Sequence, residues 1–306
     1  MSMHDHSHSH SHVTPGADSR RLSVALGLIV GFMAAEVAVG IVVHSLALLS
    51  DAAHMLTDAA GLLLSLVTIR LIARPAKGNL TFGFRRAEIL SAQANGYTLL
   101  FLAGLIVFEG IRRLISPPSP GGLAILIVAL AGIGVNLLAT RQLAQANRES
   151  MNIQGSFQHV VTDLLAFVFT AIAGAVILAT GFTRADGIAS LVIAAIMLRA
   201  AYGLLRDSGR VLLEAAPQGM DVDAIGKALA AHPRVTNVHD LHVWQIGSGF
   251  PALSAHVLVA PRDDCHGVRG ELEQLLQAAF GIEHTTLQVD HAREPSFVTT
   301  IGRSAE

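Results

Sequence analysis

Two pairs of residues in this sequence have the types and the spacing to hold a metal ion. His54 and Asp58 are four positions apart, and so are His159 and Asp163. In a helix that turns ~100° per residue, positions i and i+4 project from nearly one face, one turn apart. Each pair therefore offers an imidazole nitrogen and a carboxylate oxygen in the same direction. Two such faces brought together would supply two nitrogens and two oxygens around one point, a set suited to tetrahedral Zn2+. Mg2+ and Ca2+ favour oxygen cages and would not draw on two imidazoles. The competing reading is that these side chains form interhelical hydrogen bonds that hold a bundle together. Asp51, three positions before His54, stands close to the same face and could orient an imidazole from behind.

Both pairs fall in strongly apolar segments, where an aspartate costs about 2.5–3.5 kcal/mol to insert. Such residues face a protein interior or an aqueous cavity rather than lipid. The whole composition points the same way: of 306 residues, 52% are apolar and 14% charged, well below the charge content of soluble domains. The mean hydropathy is +0.52. With 21 basic and 23 acidic residues, no nucleic-acid partner is expected. The single cysteine, Cys265, excludes an internal disulfide framework and a cysteine-based zinc finger. Histidine, by contrast, occurs 15 times and unevenly.

A helix needs about 20 mostly apolar residues to cross the hydrocarbon. Stretches that meet this are Leu22–Val43, Leu46–Ile72, Ile89–Leu114, Leu123–Leu143, Phe157–Thr180 and Asp186–Leu205, which predicts a bundle of six transmembrane helices. Residues 1–20 lack the basic start and apolar run of a secretory signal, so the first span is expected to be retained. The run Ser116-Pro117-Pro118-Ser119-Pro120-Gly121-Gly122 breaks the chain between the third and fourth spans. Gln145–Gln154 reads as a short polar link. Arginine and lysine gather at Arg20, Arg21, Arg70, Arg74, Lys77, Arg85, Arg86, Arg141, Arg148, Arg206 and Arg210, all on one side of such a topology. The positive-inside rule makes that side cytoplasmic and puts both termini there.

Beyond Arg210 the pattern changes. Asp221–Ala231 reads as an amphipathic helix with Asp221 as N-cap. Val235–Ile246 and Leu253–Val259 read as strands, Val268–Phe280 as a helix and Thr285–Val289 as a last strand. The order helix–strand–strand–helix–strand predicts a small α+β domain of ferredoxin-like type. The expected organisation is a disordered, His-rich cytoplasmic tail over 1–20, a membrane domain over 21–208, a cytoplasmic α+β domain over 209–292, to which the resemblance below adds dimerisation and regulation, and a flexible tail over 293–306.

The segment Ser45-Leu46-Ala47-Leu48-Leu49-Ser50-Asp51-Ala52-Ala53-His54-Met55-Leu56-Thr57-Asp58 resembles the second-helix signature of the cation diffusion facilitator family. Gln158-His159-Val160-Val161-Thr162-Asp163 resembles its fifth-helix counterpart, and Val238-His239-Asp240-Leu241-His242-Val243-Trp244 a motif of its cytoplasmic domain. The likeness extends over roughly residues 20–292. It implies a homodimeric metal/proton antiporter in a bilayer, with six helices per subunit and a cytoplasmic domain of metallochaperone-like fold. The His-Asp/His-Asp pattern is the variant associated with zinc, with Cd2+, Co2+ and Ni2+ left open. The implied transport ligands are His54, Asp58, His159 and Asp163, with zinc as substrate and as a regulatory ligand. By position, His239, His256 and Asp290, then His266, match ligand places of the cytoplasmic domain. Arg86 and Glu214 match an intersubunit salt bridge, and the expected location is a bacterial inner membrane.

Zinc loading would expel protons, because imidazole binds metal only when neutral and carboxylates only when ionised. His54 and His159 are thus expected to serve both metal and proton. His4, His6, His8, His10 and His12 alternate with serines and Asp5, a tract that either captures metal loosely or is a plain solvated tail. Glu36 and Asn136 read as buried polar residues, with helix–helix hydrogen bonding as the simpler role. Trp244 reads as packing, and the Leu80–Arg86 stretch lacks the histidine of a further loop site. An intramembrane metalloenzyme would keep an open ligand position and a general base. Four ligands close the shell here and no His-Glu-x-x-His occurs, so no enzyme is expected. A membrane-tethered metal sensor, the other alternative, would not need ligands buried in its spans.

Overall fold

A computed structural model describes residues 15–42, 46–116, 122–147 and 150–292; the side chains of 15, 16, 40, 46–54, 122, 124 and 125 are outside that description. The chain separates into two compact units, Met1–Gly209 and Arg210–Glu306.

The first unit is helical. Its elements are α1 (Pro15–Val42), α2 (Leu46–Ile72), α3 (Ala87–Ile115), α4 (Gly122–Ala144), α5 (Met151–Thr180) and α6 (Ala185–Leu212). Among the described residues, five helices are long and apolar enough to cross a membrane: α1, α2, α4, α5 and α6. Helices suit this setting because each satisfies its own backbone polar groups where no water can. α3 has 29 residues, and at 1.5 Å per residue it is about 43 Å long. Large apolar side chains such as Leu56, Leu63, Phe101 and Phe108 are exposed, an arrangement that suits lipid rather than water. The protein is an integral membrane protein.

The interior is assembled from two apolar clusters. Leu22, Ala25 and Ile29 of α1 pack with Met55, Leu62 and Leu66 of α2, Ala139 and Leu143 of α4, and Ile153 and Val160 of α5. Leu99 and Ala103 of α3 pack with Ile193, Met197 and Ala201 of α6. Small residues let helices approach: a Cβ on Gly187 of α6 would lie 3.1 Å from the Gly110 carbonyl oxygen of α3. Near that crossing Arg113 donates to Asp186 at 2.5 Å and to Glu109 at 3.1 Å. At the other end of the bundle, the Asn147 N–H donates to Asp18 of α1 at 3.1 Å. α5 ends at Gly181, whose left-handed backbone (φ 72°) turns its N–H onto the Ile177 carbonyl.

Three helices run past their apolar stretches. α1 begins at Pro15, where the missing N–H and fixed φ suit a first helical position. α6 continues to Leu212. α5 starts at Met151, inside the segment read from sequence as a polar link. Asn152 and Ser156 are fully or nearly fully buried there; they pair with polar groups on neighbouring helices, so their polarity does not mark a loop. The histidine tract over 4–12 and the tail over 293–306 lie outside the described residues.

The second unit contains α7 (Val222–Ala230), β1 (Val235–Gly247), β2 (Phe250–Val259), α8 (Cys265–Phe280) and β3 (His284–His291). Asp221 caps α7 by accepting from the Ala224 N–H at 3.1 Å, satisfying a donor that the first turn leaves free. Asp264 caps α8 in the same way; N–H groups of Gly267 and His266 hold its carboxyl below the usual range. The sheet has the order β1-β2-β3, with β1 and β2 antiparallel and β2 and β3 parallel. Alternate residues Leu253, Ala255, Val257 and Val259 of β2 turn to a core shared with Ile225 and Leu229 of α7 and Val268, Leu272 and Leu276 of α8. His256 lies on the other, open face of the sheet.

Candidate metal centre

Helix α2 carries Asp58 and α5 carries His159 and Asp163 one turn apart. The two helices bring these side chains together deep in the bundle, with Asp58 5%, His159 5% and Asp163 6% exposed. His159 Nε2 is 2.6 Å from Asp58 Oδ1 and 3.7 Å from Asp163 Oδ2. One ligand atom from each lies within 4.8 Å of the others, and this is the group of three side chains among the described residues whose types and spacing could hold a metal ion. His159 Nδ1 is buried and has no hydrogen-bond partner among them.

Those distances can be set against zinc chemistry. Zn–N and Zn–O bonds of ~2.0–2.2 Å put neighbouring ligand atoms of a tetrahedron about 3.4 Å apart. The Asp163 separation is already close to that edge. The Asp58 separation is a hydrogen bond instead, so a proton sits between Nε2 and the carboxylate. A cation entering would displace that proton and part the two atoms by less than an ångström. His54 stands four positions before Asp58 on α2. Its side chain and that of Asp51 lie outside the described residues.

A second set of polar side chains borders the cluster and was not singled out from sequence. Asn152 of α5 donates to the Ser65 carbonyl of α2 at 2.9 Å, and Ser91 of α3 donates to Asn152 Oδ1 at 2.6 Å. The hydroxyls of Ser65 and Ser156 are 2.6 Å apart. The signal that could have found them is a polar stripe on one face of α5 at positions 152, 156, 159 and 163, with Ser65 on α2 and Ser91 and Asn95 on α3. Glu36 is also buried, on α1, and Asn136 of α4 donates to its own helix at the Gly132 carbonyl.

In the second unit, His239 and His256 face each other across β1 and β2 with ring centroids 5.3 Å apart. Gln288 pairs with His256, and it donates to Asp290 at 2.7 Å, two positions on. His266 is at the start of α8, where its N–H meets Asp264. The four do not form a group of three converging ligand atoms among the described residues of one chain. The structure adds a neighbour: Asp240 sits in a left-handed conformation (φ 54°) where the β1–β2 register shifts. It is 2.9 Å from His242 Nε2 and 3.8 Å from His256 Nε2, and the hydrogen bond with His242 holds its carboxyl below the usual range. Cys265 is a free thiol at the start of α8. Arg86 directly precedes α3 in the first unit; Glu214 is in the second, with φ 58°.

Comparison with known proteins follows the same division. Residues 22–213 match the cation efflux transmembrane domain, and residues 217–292 the cation efflux protein cytoplasmic domain. The metal cation efflux system protein CzcD of Cupriavidus metallidurans is 39% identical over 283 residues, covering 91% of this chain and 88% of its own. Zinc transporter ZitB of Escherichia coli is 38% identical over 277 residues, covering 90% and 88%. The cadmium, cobalt and zinc/H(+)-K(+) antiporter of Bacillus subtilis is 34% identical over 280 residues, covering 90% of each chain.

Proposed function

The chain belongs to the cation efflux, or cation diffusion facilitator, family, and on that premise we propose that it exports Zn2+ from the cytoplasm in exchange for protons. The observation that carries this reading is the buried carboxylate–imidazole–carboxylate cluster of Asp58, His159 and Asp163. Charges so deep in a membrane bundle mark an ion path, and a nitrogen among oxygens favours zinc over Mg2+ or Ca2+. His54 completes the set as fourth ligand, and Asp51 orients it. Cd2+ and Co2+ are further substrates, since the ligand types accept them and the Bacillus relative is named for all three metals.

The hydrogen bond between His159 and Asp58 supplies the coupling. Zinc binding releases the proton they share, and a proton returning from the acidic side competes zinc off the same atoms. Alternating access then needs only a rocking of helices about this site.

The finer architecture belongs to the same proposal. α3 is the sixth span, so that residues 21–208 form a six-helix bundle after the tail over 1–20. Arg70 at the end of α2, Arg86 before α3, Arg141 at the end of α4 and Arg210 at the end of α6 support a cytoplasmic side shared by both termini. That arrangement and the bacterial relatives support an inner-membrane location. Residues 209–292 form a ferredoxin-like domain that pairs in a homodimer, with 293–306 as its tail. His239, His256, His266 and Asp290 bind regulatory zinc in that dimer, and Arg86 and Glu214 form salt bridges between subunits.

The test is Zn2+ flux into proteoliposomes holding the full chain, with and without an imposed pH gradient. Faster flux with the gradient supports exchange. Equal flux in both conditions removes the proton from the mechanism, and no flux removes the export reading.

A further inference from the structure

The metal cluster has a third wall. One turn along α2 from Asp58 is Gly61, and one turn back along α5 from His159 is Gly155. Asn95 of α3 stands beside both, with Leu204 of α6 nearer still at Gly155. A Cβ on Gly61 would stand 3.1 Å from Asn95 Oδ1, and one on Gly155 would stand 3.5 Å from its Nδ2. Asn95 is 3% exposed, and Nδ2 has no hydrogen-bond partner among the described residues.

A buried amide donor left unmatched forfeits its hydrogen bonds to water without replacement. Leucine has the same branched arrangement of heavy atoms, though a larger volume, and would carry no such penalty, so apolar packing alone does not call for an amide here. A neutral amide does suit a passing ion. It offers either an oxygen to a cation or an N–H to the ion's water, and it lacks the charge that would trap the cation. Conduction calls for sites that bind well enough to enter and weakly enough to leave.

Further along the same two helices stand the hydrogen-bonded side chains of Ser65, Ser91, Asn152 and Ser156. They lie toward the Ile72 end of α2 and the Met151 end of α5, which is the cytoplasmic end in the reading above. All are neutral, and these three bonds join groups on different helices, while the Ser156 hydroxyl also reaches the Asn152 carbonyl of its own helix at 3.2 Å.

We propose that Asn95 is a specificity-determining residue of the cation path, contacting the hydrated ion between the Asp58–His159–Asp163 cluster and the Ser65–Ser91–Asn152–Ser156 bonds, which part as it passes. This rests on the export reading. α3 is thereby a working wall of the path rather than a packing helix.

Full-length protein in proteoliposomes, assayed with Zn2+ and Mn2+, tests it. Asn95→Leu lowers the maximal Zn2+ rate by about tenfold, equivalent to ~1.4 kcal/mol of barrier, while equilibrium Zn2+ binding stays near that of the original protein. Asn95→Asp adds a hard oxygen at unchanged volume and raises the Mn2+-to-Zn2+ rate ratio by about fivefold. If Asn95→Leu does not fold, Asn95→Asp decides alone. Rates and ratio unchanged in both variants overturn the inference, as does a rate loss in Asn95→Leu matched by lost Zn2+ binding with an unchanged ratio in Asn95→Asp. The unsubstituted protein separates the two ideas: if it carries no Zn2+, the export reading fails; if it does, only Asn95 is on trial.

Discussion

His159 Nε2 and Asp58 Oδ1 lie 2.6 Å apart, joining α5 to α2 through a hydrogen bond that is buried on both sides. The carboxylate of the same helix, on Asp163, stands 3.7 Å from that nitrogen. The imidazole therefore has one partner it bonds and another it only approaches, and in the proposed mechanism a cation equalises the two.

Asp163 stands outside the hydrogen bond between His159 and Asp58. Asp163→Ala leaves the His159–Asp58 bond in place, so the protein folds while its Zn2+ flux falls at least about a hundredfold, as the proposed four-ligand set loses a member. Flux in proteoliposomes and gel-filtration profiles check this. Flux within a few-fold of the original would remove Asp163 from the site.

Exchanging the nitrogen for oxygen changes the metal preferred. His159→Asp, with its all-carboxylate local set, moves transport from Zn2+ toward Mn2+, because harder ligands suit the harder ion. Parallel flux assays with both ions read the change directly, and an unaltered preference would count against His159 as a ligand.

Asn152 joins three helices through its side chain, donating to Ser65 and accepting from Ser91. Asn152→Leu strands the Ser91 hydroxyl and the second partner group. Hydrogen bonds between membrane helices average ~0.6 and reach ~1.7 kcal/mol, so a loss of about 1–2 kcal/mol is expected. Thermal unfolding in detergent measures it, and an unchanged midpoint would mean that other bonds replace these.

In the second unit, Arg234 bonds Glu271, with His232 on the same carboxylate at 2.9 Å. The Arg234 hydrogen bond holds the Glu271 carboxyl below its usual range. A group lowered in the folded state stabilises fully above its unfolded pKa of about 4.3 and loses that contribution as pH falls through the folded value. Melting followed from pH 7 down to pH 3 therefore shows a smaller acid loss in Glu271→Gln. The group is exposed, so the difference is small, and parallel curves would discount the contact.

Much of this was legible because helices and strands impose their own spacing. The i, i+4 placement of His159 and Asp163 follows from one turn of helix, and the Asp221 cap follows from an acidic residue before an amphipathic run. That Asp58 meets His159 rather than Asp163 is a tertiary fact, set by how α2 crosses α5. The start of α5 was not legible, since Asn152 and Ser156 look like loop residues until their partners on α2 and α3 are known. Asn95 is likewise one asparagine in an apolar helix until Gly61 and Gly155 are seen beside it. The left-handed Asp240 comes from a register shift between strands, which local sequence does not specify.

The central claim is that the transported cation is held between α2 and α5. Anomalous scattering at the zinc edge from zinc-loaded protein locates the ion directly. The account predicts a peak at about 2.0–2.2 Å from His159 Nε2 and from one oxygen each of Asp58 and Asp163. A transport-competent protein whose only membrane-depth zinc lies away from these three residues would contradict it.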